Sequence, residues 1–112
     1  MIGDNNKGGT LYQWGESPDY VWKGFGDKDT HGVYKGDVEN GKPNGLGVVI
    51  FPNGFKYVGG WKNGKENGKG TLTTKYGSKY VGEYKDGFWW NVILYDKNGK
   101  IIKTIIHPLN EN

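Results

Sequence analysis

Between Tyr34 and Ser78 short extended runs alternate with turns rich in Gly and Asn, and within each run the apolar and glycine positions fall at period two. Tyr57, Gly59 and Trp61 share one strand face, so the missing side chain of Gly59 leaves a floor between two rings. Gly68, Gly70 and Leu72 do the same on the returning strand. A glycine weakens a strand by about 0.5 to 1 kcal/mol, so glycines at fixed spacing imply that rings pack on bare backbone and offset the entropy cost.

The pattern repeats. Tyr34, Tyr57 and Tyr80 stand 23 residues apart, each with a glycine two positions on (Gly36, Gly59, Gly82) and seven positions on (Gly41, Gly64, Gly87). Residues 34–56 and 57–79 agree at 10 of 23 positions, a regularity that no single active site requires, so function is to be sought on an extended surface. The third unit opens normally with Tyr80, Gly82, Tyr84 and Gly87, but Phe88-Trp89-Trp90-Asn91-Val92 replaces the glycine-rich return. Deleting one residue in that turn aligns Asn98-Gly99 with Tyr76-Gly77 and sets Ile102, Thr104 and Ile106 where Tyr80, Gly82 and Tyr84 stood, which makes a terminal half repeat. Upstream, Tyr12 and Trp14 precede a turn at Glu16-Ser17-Pro18-Asp19, and Trp22-Lys23-Gly24-Phe25-Gly26 reads as a G-x-G strand leading into Tyr34; both belong to a cap over an open stack. The expected domain therefore spans 10–107: a degenerate cap (10–33), repeats at 34–56, 57–79 and 80–101, and a half repeat (102–107). Residues 1–9 are expected to be disordered, 108–112 form a tail, and about nine strands are expected in all.

The order Y-x-G-x-W, a glycine three residues on, then G-x-G before a glycine turn resembles the MORN repeat (membrane occupation and recognition nexus). Tyr34, Gly36, Gly41, Gly45, Gly47 and Gly54 carry it in one unit, and Tyr57, Gly59, Trp61, Gly64, Gly68, Gly70 and Gly77 in the next. The resemblance covers roughly residues 33–106. It implies an all-β chain in which two-stranded hairpins lie side by side as one elongated, single-layer, twisted antiparallel meander. It also implies work in assembling protein complexes, tethering to membranes or accompanying catalytic domains.

Composition fits a thin sheet. With 34% hydrophobic and 24% charged residues in 112, the chain is poor in apolar content for a thick core, while 21 glycines and 15% aromatics exclude a helical bundle. No stretch within 33–106 is apolar for long enough to cross a bilayer. The absence of cysteine removes disulfides and thiolate metal sites and leaves the redox compartment open, with the cytoplasm favoured if the chain is full length. The net charge of +3 comes from fifteen lysines without any arginine, and the lack of planar guanidinium groups argues against a nucleic-acid reader. His31 and His107 have no neighbouring nucleophile, carboxylate pair or metal-ligand spacing, and Asp27, Asp29 and His31 read as a solvated turn. The G-x-G strings open no helix and precede no Lys-Ser/Thr pair, so they are not phosphate loops. No enzymatic activity, cofactor, metal or small-molecule substrate is expected.

The candidate partner-binding residues are rings: Tyr34, Tyr57, Trp61, Tyr80, Tyr84, Trp89 and Trp90. Two readings stay open for them, packing on glycine backbone alone or a glycine-floored groove that receives a partner segment. Lysines recur with the same period, Lys42 with Lys65, Lys56 with Lys79 and Lys62 with Lys85, in columns spaced by about 10 Å that suit an anionic lipid surface. Interleaved Asp37, Glu39, Glu66, Glu83 and Asp86 suit an ordinary solvated face instead. Ile101, Ile102, Ile105 and Ile106 place apolar side chains on both faces of the last strand, which calls for a homodimer or partner strand, or for cover by Pro108–Asn112. The reading is a non-enzymatic scaffold for protein–protein contact; the alternative is a peripheral module for anionic phospholipid. A third, glycan binding through Trp14, Trp22, Trp89 and Trp90, has only those side chains behind it.

Overall fold

Asn-Gly and Asp-Gly pairs between the apolar runs set the architecture. In the computed structural model, which describes residues 7–107, Asn63 and Gly64 take φ values of 51° and 85°. These positive values belong to a two-residue hairpin turn whose twist matches that of its flanking strands. Asn40-Gly41 and Asp86-Gly87 repeat the turn. Nine strands result: β1 (Lys7–Trp14), β2 (Val21–Lys23), β3 (Gly32–Glu39), β4 (Lys42–Ile50), β5 (Lys56–Lys62), β6 (Lys65–Thr73), β7 (Lys79–Lys85), β8 (Phe88–Tyr95) and β9 (Ile101–Ile106). They form a single open antiparallel sheet in the order β2-β1-β3-β4-β5-β6-β7-β8-β9, and no helix occurs among the described residues.

Paired glycines let the rings sink into the sheet. Gly36 faces Gly47, and Gly59 faces Gly70; a Cβ on Gly47 or Gly70 would collide with the ring of Tyr34 or Tyr57. Both rings are buried, with 0% and 1% exposure, and their hydroxyls donate to the carbonyls of Asp37 (2.6 Å) and Gly60 (3.0 Å). Trp61 bridges them edge-on at 5.1 and 5.3 Å between ring centres, and Tyr84 continues the chain at 4.9 Å from Tyr57. With Leu11, Val49 and Val92 these side chains make the core, all on one face of the sheet.

One layer can enclose a core because the sheet curls toward that face. Four strand spacings separate β2 from β5, about 19 Å if flat. Yet the Trp22 indole N–H donates to the carbonyl of Gly64, in the turn after β5, at 3.1 Å, and its ring stands 5.9 Å from Trp61. The β1–β2 hairpin therefore folds over the ring face.

The two ends differ from the sequence expectation. Lys7–Gly9, assigned there to a disordered segment, are strand: Gly9 pairs with Gly36 and Leu11 with Tyr34. Gly9-Thr10-Leu11 thus takes the structural place, and has the sequence, of Gly70-Thr71-Leu72. The Trp22–Gly26 run does not pair with the strand of Tyr34, because β1 occupies that position, although the Trp22 ring reaches Tyr34 at 6.0 Å; β2 is outermost and Gly24, Phe25 and Gly26 pair with nothing in the sheet. In the third repeat Val92 faces Gly82, the place that Gly70 takes opposite Gly59. Its side chain, 2% exposed, fills the space that a tyrosine ring occupies in the other repeats, so Tyr80 is only half-buried. The expectations for residues 1–6, and for the tail 108–112 as a cover for β9, lie outside the described residues.

Candidate interaction faces and an aromatic groove

Tyr80, displaced by Val92, stacks on Trp89 with ring centres 4.5 Å apart and planes at 12°. Trp89, itself 43% exposed, stands at the rim of a hollow of about 250 Å³ on the ring face. Phe51 and Phe55, from the β4–β5 connection, join Tyr57, Leu72 and Tyr84 in lining it. Of the predicted contact rings, Tyr34, Tyr57, Trp61 and Tyr84 are core, with Tyr57 and Tyr84 lining the groove, and Tyr80 and Trp89 are the ones left accessible. Trp90 is placed apart: it stacks on His107 at 3.5 Å and carries the Lys85 ammonium 4.4 Å from its ring centre. Phe51 and Phe55 were not singled out from sequence because they sit in turn segments, outside the period-two runs.

Among the described residues, Glu66 is the only charged one lining this hollow. It pairs with Trp61 across β5 and β6, and also lines a second hollow of about 200 Å³ with Pro18, Tyr20 and Phe88. Burial pushes its carboxyl above the usual carboxylate range, with its own backbone N–H opposing the shift. Burial, reinforced by the nearby Asp37 charge, raises the Tyr34 hydroxyl to about 12, and burial also raises Tyr57 and Tyr84. The corresponding positions are Pro43 opposite Val38 in the first repeat and Trp89 opposite Tyr84 in the third, so one register position holds a proline, an acid and a ring in turn.

The opposite face holds the lysines. Lys56 and Lys79 both pair with Thr73, from either side, which sets them two strands apart, about 10 Å. Lys42 pairs with Glu39 and Lys62 with Lys65, while Lys85 pairs with Phe88; all six lysines are exposed. Val48, Val58, Thr71, Val81, Ile93 and Thr104 form an unbroken cross-strand row on this face, with Val58 and Val81 at 43% and 36% exposure. A hollow of about 810 Å³ is also here, between Val33, Val48 and Ile50 and the Lys28-Asp29 loop.

At the C-terminal edge β9 pairs only with β8. Ile101, Ile102 and Ile106 are exposed, whereas Ile105 pairs with Val92 and packs against the core. Trp14 packs on His31 at 4.0 Å and Phe25 at 5.4 Å, with the Lys23 ammonium 4.5 Å from its ring centre, and Trp22 is held in the core contact described above. Asp27 accepts the backbone N–H of Asp29 within a turn, and no group of His, Asp and Glu suited to a metal ion occurs among the described residues.

A row of similar hairpins in one open sheet, with stacked glycines under tyrosines and long accessible faces, is the build of a tandem-repeat protein. The MORN repeat family model matches residues 34–56 and 57–77. The chain thus carries MORN repeats at these two places. MORN repeats are generally linked to interaction with proteins or membranes, and the family is generally non-catalytic. No curated protein matches the chain.

Proposed function

We propose that the chain is a non-enzymatic scaffold whose ring face receives an apolar or extended segment of a protein partner. The observation that carries this reading is the groove beside Trp89: accessible rings stand over a floor that the buried tyrosines hold rigid. Rigid aromatic groups that need no further ordering are the side chains most often found at contact hot spots. The exposed edge of β9, with Ile101, Ile102 and Ile106, supplies a second contact, for a strand of a partner or of another copy. The test is capture from extract of the source organism by the immobilised protein and by a Phe55→Ala/Trp89→Ala variant of matched thermal stability. Proteins retained by the first and lost by the second support the groove; identical retention by both sinks it. Sedimentation velocity at rising concentration tests the edge, and a strict monomer removes the homodimer.

A second reading rests on the opposite face. Lys42, Lys56, Lys62, Lys65, Lys79 and Lys85 share it with the half-exposed row of Val48, Val58, Val81 and Ile93, an amphipathic combination suited to an anionic bilayer surface. Flotation with vesicles containing acidic lipid, over a salt series, decides it: partition that falls with salt and with paired Lys62→Glu and Lys85→Glu supports it, and partition indifferent to both removes it. Glycan binding has no comparable observation behind it, since Trp14 and Trp22 are engaged in packing within the chain.

A further inference from the structure

The hollow on the ring face holds a single charge without a counter-charge. Glu66 makes no ion pair and no side-chain hydrogen bond with another residue among the described residues, where the one ion pair joins Lys28 and Asp29. Lys65 lines the adjacent hollow with Asp86 and makes no ion pair with Glu66. The repeat does not require an acid at this position, since Pro43 and Trp89 fill it elsewhere and Pro43 is fully buried. A partly buried, unpaired carboxylate destabilises the chain that carries it, which is the usual mark of a group kept for a ligand. Five rings line the hollow with it: Phe51, Phe55, Tyr57, Tyr84 and Trp89. Aromatic rings around a carboxylate favour an organic cation over water, because ring quadrupoles and the formal charge act in the same sense.

We propose that this hollow is a receptor for an alkylammonium group, the side chain of a lysine on the partner segment. At about 250 Å³ it has room for a four-carbon stem as well as the head, given that a water molecule takes about 30 Å³. The stem meets Leu72 and the phenylalanines while the ammonium meets Glu66, as amphipathic side chains do at such boundaries. The assignment builds on the groove reading above and names the chemistry that the groove selects.

The test uses the whole chain with n-butylammonium as probe and n-butanol as its neutral counterpart, following the ring resonances of Tyr57, Tyr84 and Trp89 by NMR. Saturable shifts with butylammonium, absent with butanol and weakened about tenfold or more in Glu66→Gln, support the proposal. Equal shifts with butanol, unchanged affinity in Glu66→Gln, or no saturable shift overturn it. Glu66→Gln keeps the volume and removes a buried charge, so it folds, and a thermal unfolding curve verifies this. Phosphatidylcholine vesicles form a separate arm: binding to them that needs Glu66, without butylammonium binding, overturns the lysine assignment in favour of a quaternary headgroup. The groove reading fails independently. Partner capture lost in Phe55→Ala/Trp89→Ala but unaffected by Glu66→Gln leaves the groove standing and removes the ammonium site, whereas Glu66-dependent butylammonium binding without any captured partner does the reverse.

Discussion

Replacing Gly70 by Ala adds one methyl group at the point where the ring of Tyr57 lies on the sheet. The added Cβ would fall inside contact distance of the ring and hydroxyl of Tyr57, and the ring, 1% exposed, is wedged between Trp61 and Tyr84. If the ring shifts within the core, overpacking costs about 1 to 3 kcal/mol. If it leaves, about 150 to 200 Å² of aromatic surface returns to water, or roughly 4 to 5 kcal/mol. A loss of about 2 to 4 kcal/mol is therefore expected, a large share of the 5 to 15 kcal/mol typical of a domain. Urea unfolding followed by tryptophan fluorescence reads it, with two controls in the same chain. Gly24→Ala meets nothing within 4 Å and should change stability by less than about 0.5 kcal/mol. Gly68→Ala also meets nothing but requires φ of +93°, so it isolates backbone strain of about 1 to 2 kcal/mol. Should Gly70→Ala behave like Gly24→Ala, ring packing on glycine is not what holds the repeats together. Tyr57→Leu combined with Gly70→Ala should recover part of the loss, since the clash is with the ring.

Further outcomes follow from the same geometry. Trp61→Ala, removing a core ring 4% exposed, should cost about 3 to 5 kcal/mol, whereas Trp89→Ala, at 43% exposure, should cost clearly less while abolishing partner capture; equal losses of stability would contradict the division between floor and rim. For Glu66 the folded carboxyl titrates above its ordinary value of 4.5, so the folded state binds more protons in that interval and stability is lost as pH rises through it. Glu66→Gln should thus be more stable than the parent at pH 7 and lose that advantage below pH 4.5, as thermal unfolding at several pH values would show. Tyr34, Tyr57 and Tyr84 are raised from 10.0 by burial, so the native state is destabilised as pH climbs above 10 and the unfolded chain ionises first. Absorbance titration at 295 nm should show these three, of eight tyrosines, ionising only with unfolding, and a single transition near 10 for all eight would refute their burial.

The strand count and meander were legible because each depends on local signals: period-two runs, Asn-Gly turns and glycines at a fixed offset. What sequence reading missed depends on partners far along the chain. Whether a repeat's tyrosine is buried is decided by the residue facing its glycine on the next strand. Tyr57 sinks because Gly70 lies there, and Tyr80 is displaced because Val92 does, through a return strand one residue shorter than in repeat two. Gly9-Thr10-Leu11 has the sequence of Gly70-Thr71-Leu72 but carries no repeat signature, because no tyrosine precedes it to mark a repeat. The curl was not legible at all, since it rests on Trp22 reaching a turn 42 residues away.

That curl gives the two faces different work. Because the sheet bends toward the rings, the ring face closes around its hollow, and it is there that Glu66 stands unpaired among aromatics. The lysine face bends away and presents its row of Val48, Val58, Val81 and Ile93 outward, a shape that meets a broad surface better than a single side chain. Charge follows shape: an isolated carboxylate where a cation can be enclosed, and spaced lysines where an extended anionic surface can be met. A regular repeat would make every groove position alike. Here the position held by Pro43, Glu66 and Trp89 changes its chemistry at each step: Pro43 is sealed in the core, so a segment lying along the groove meets no such contact in the first repeat, an anion in the second and a ring in the third. Such an order selects one direction and one register for that segment, which identical repeats cannot do.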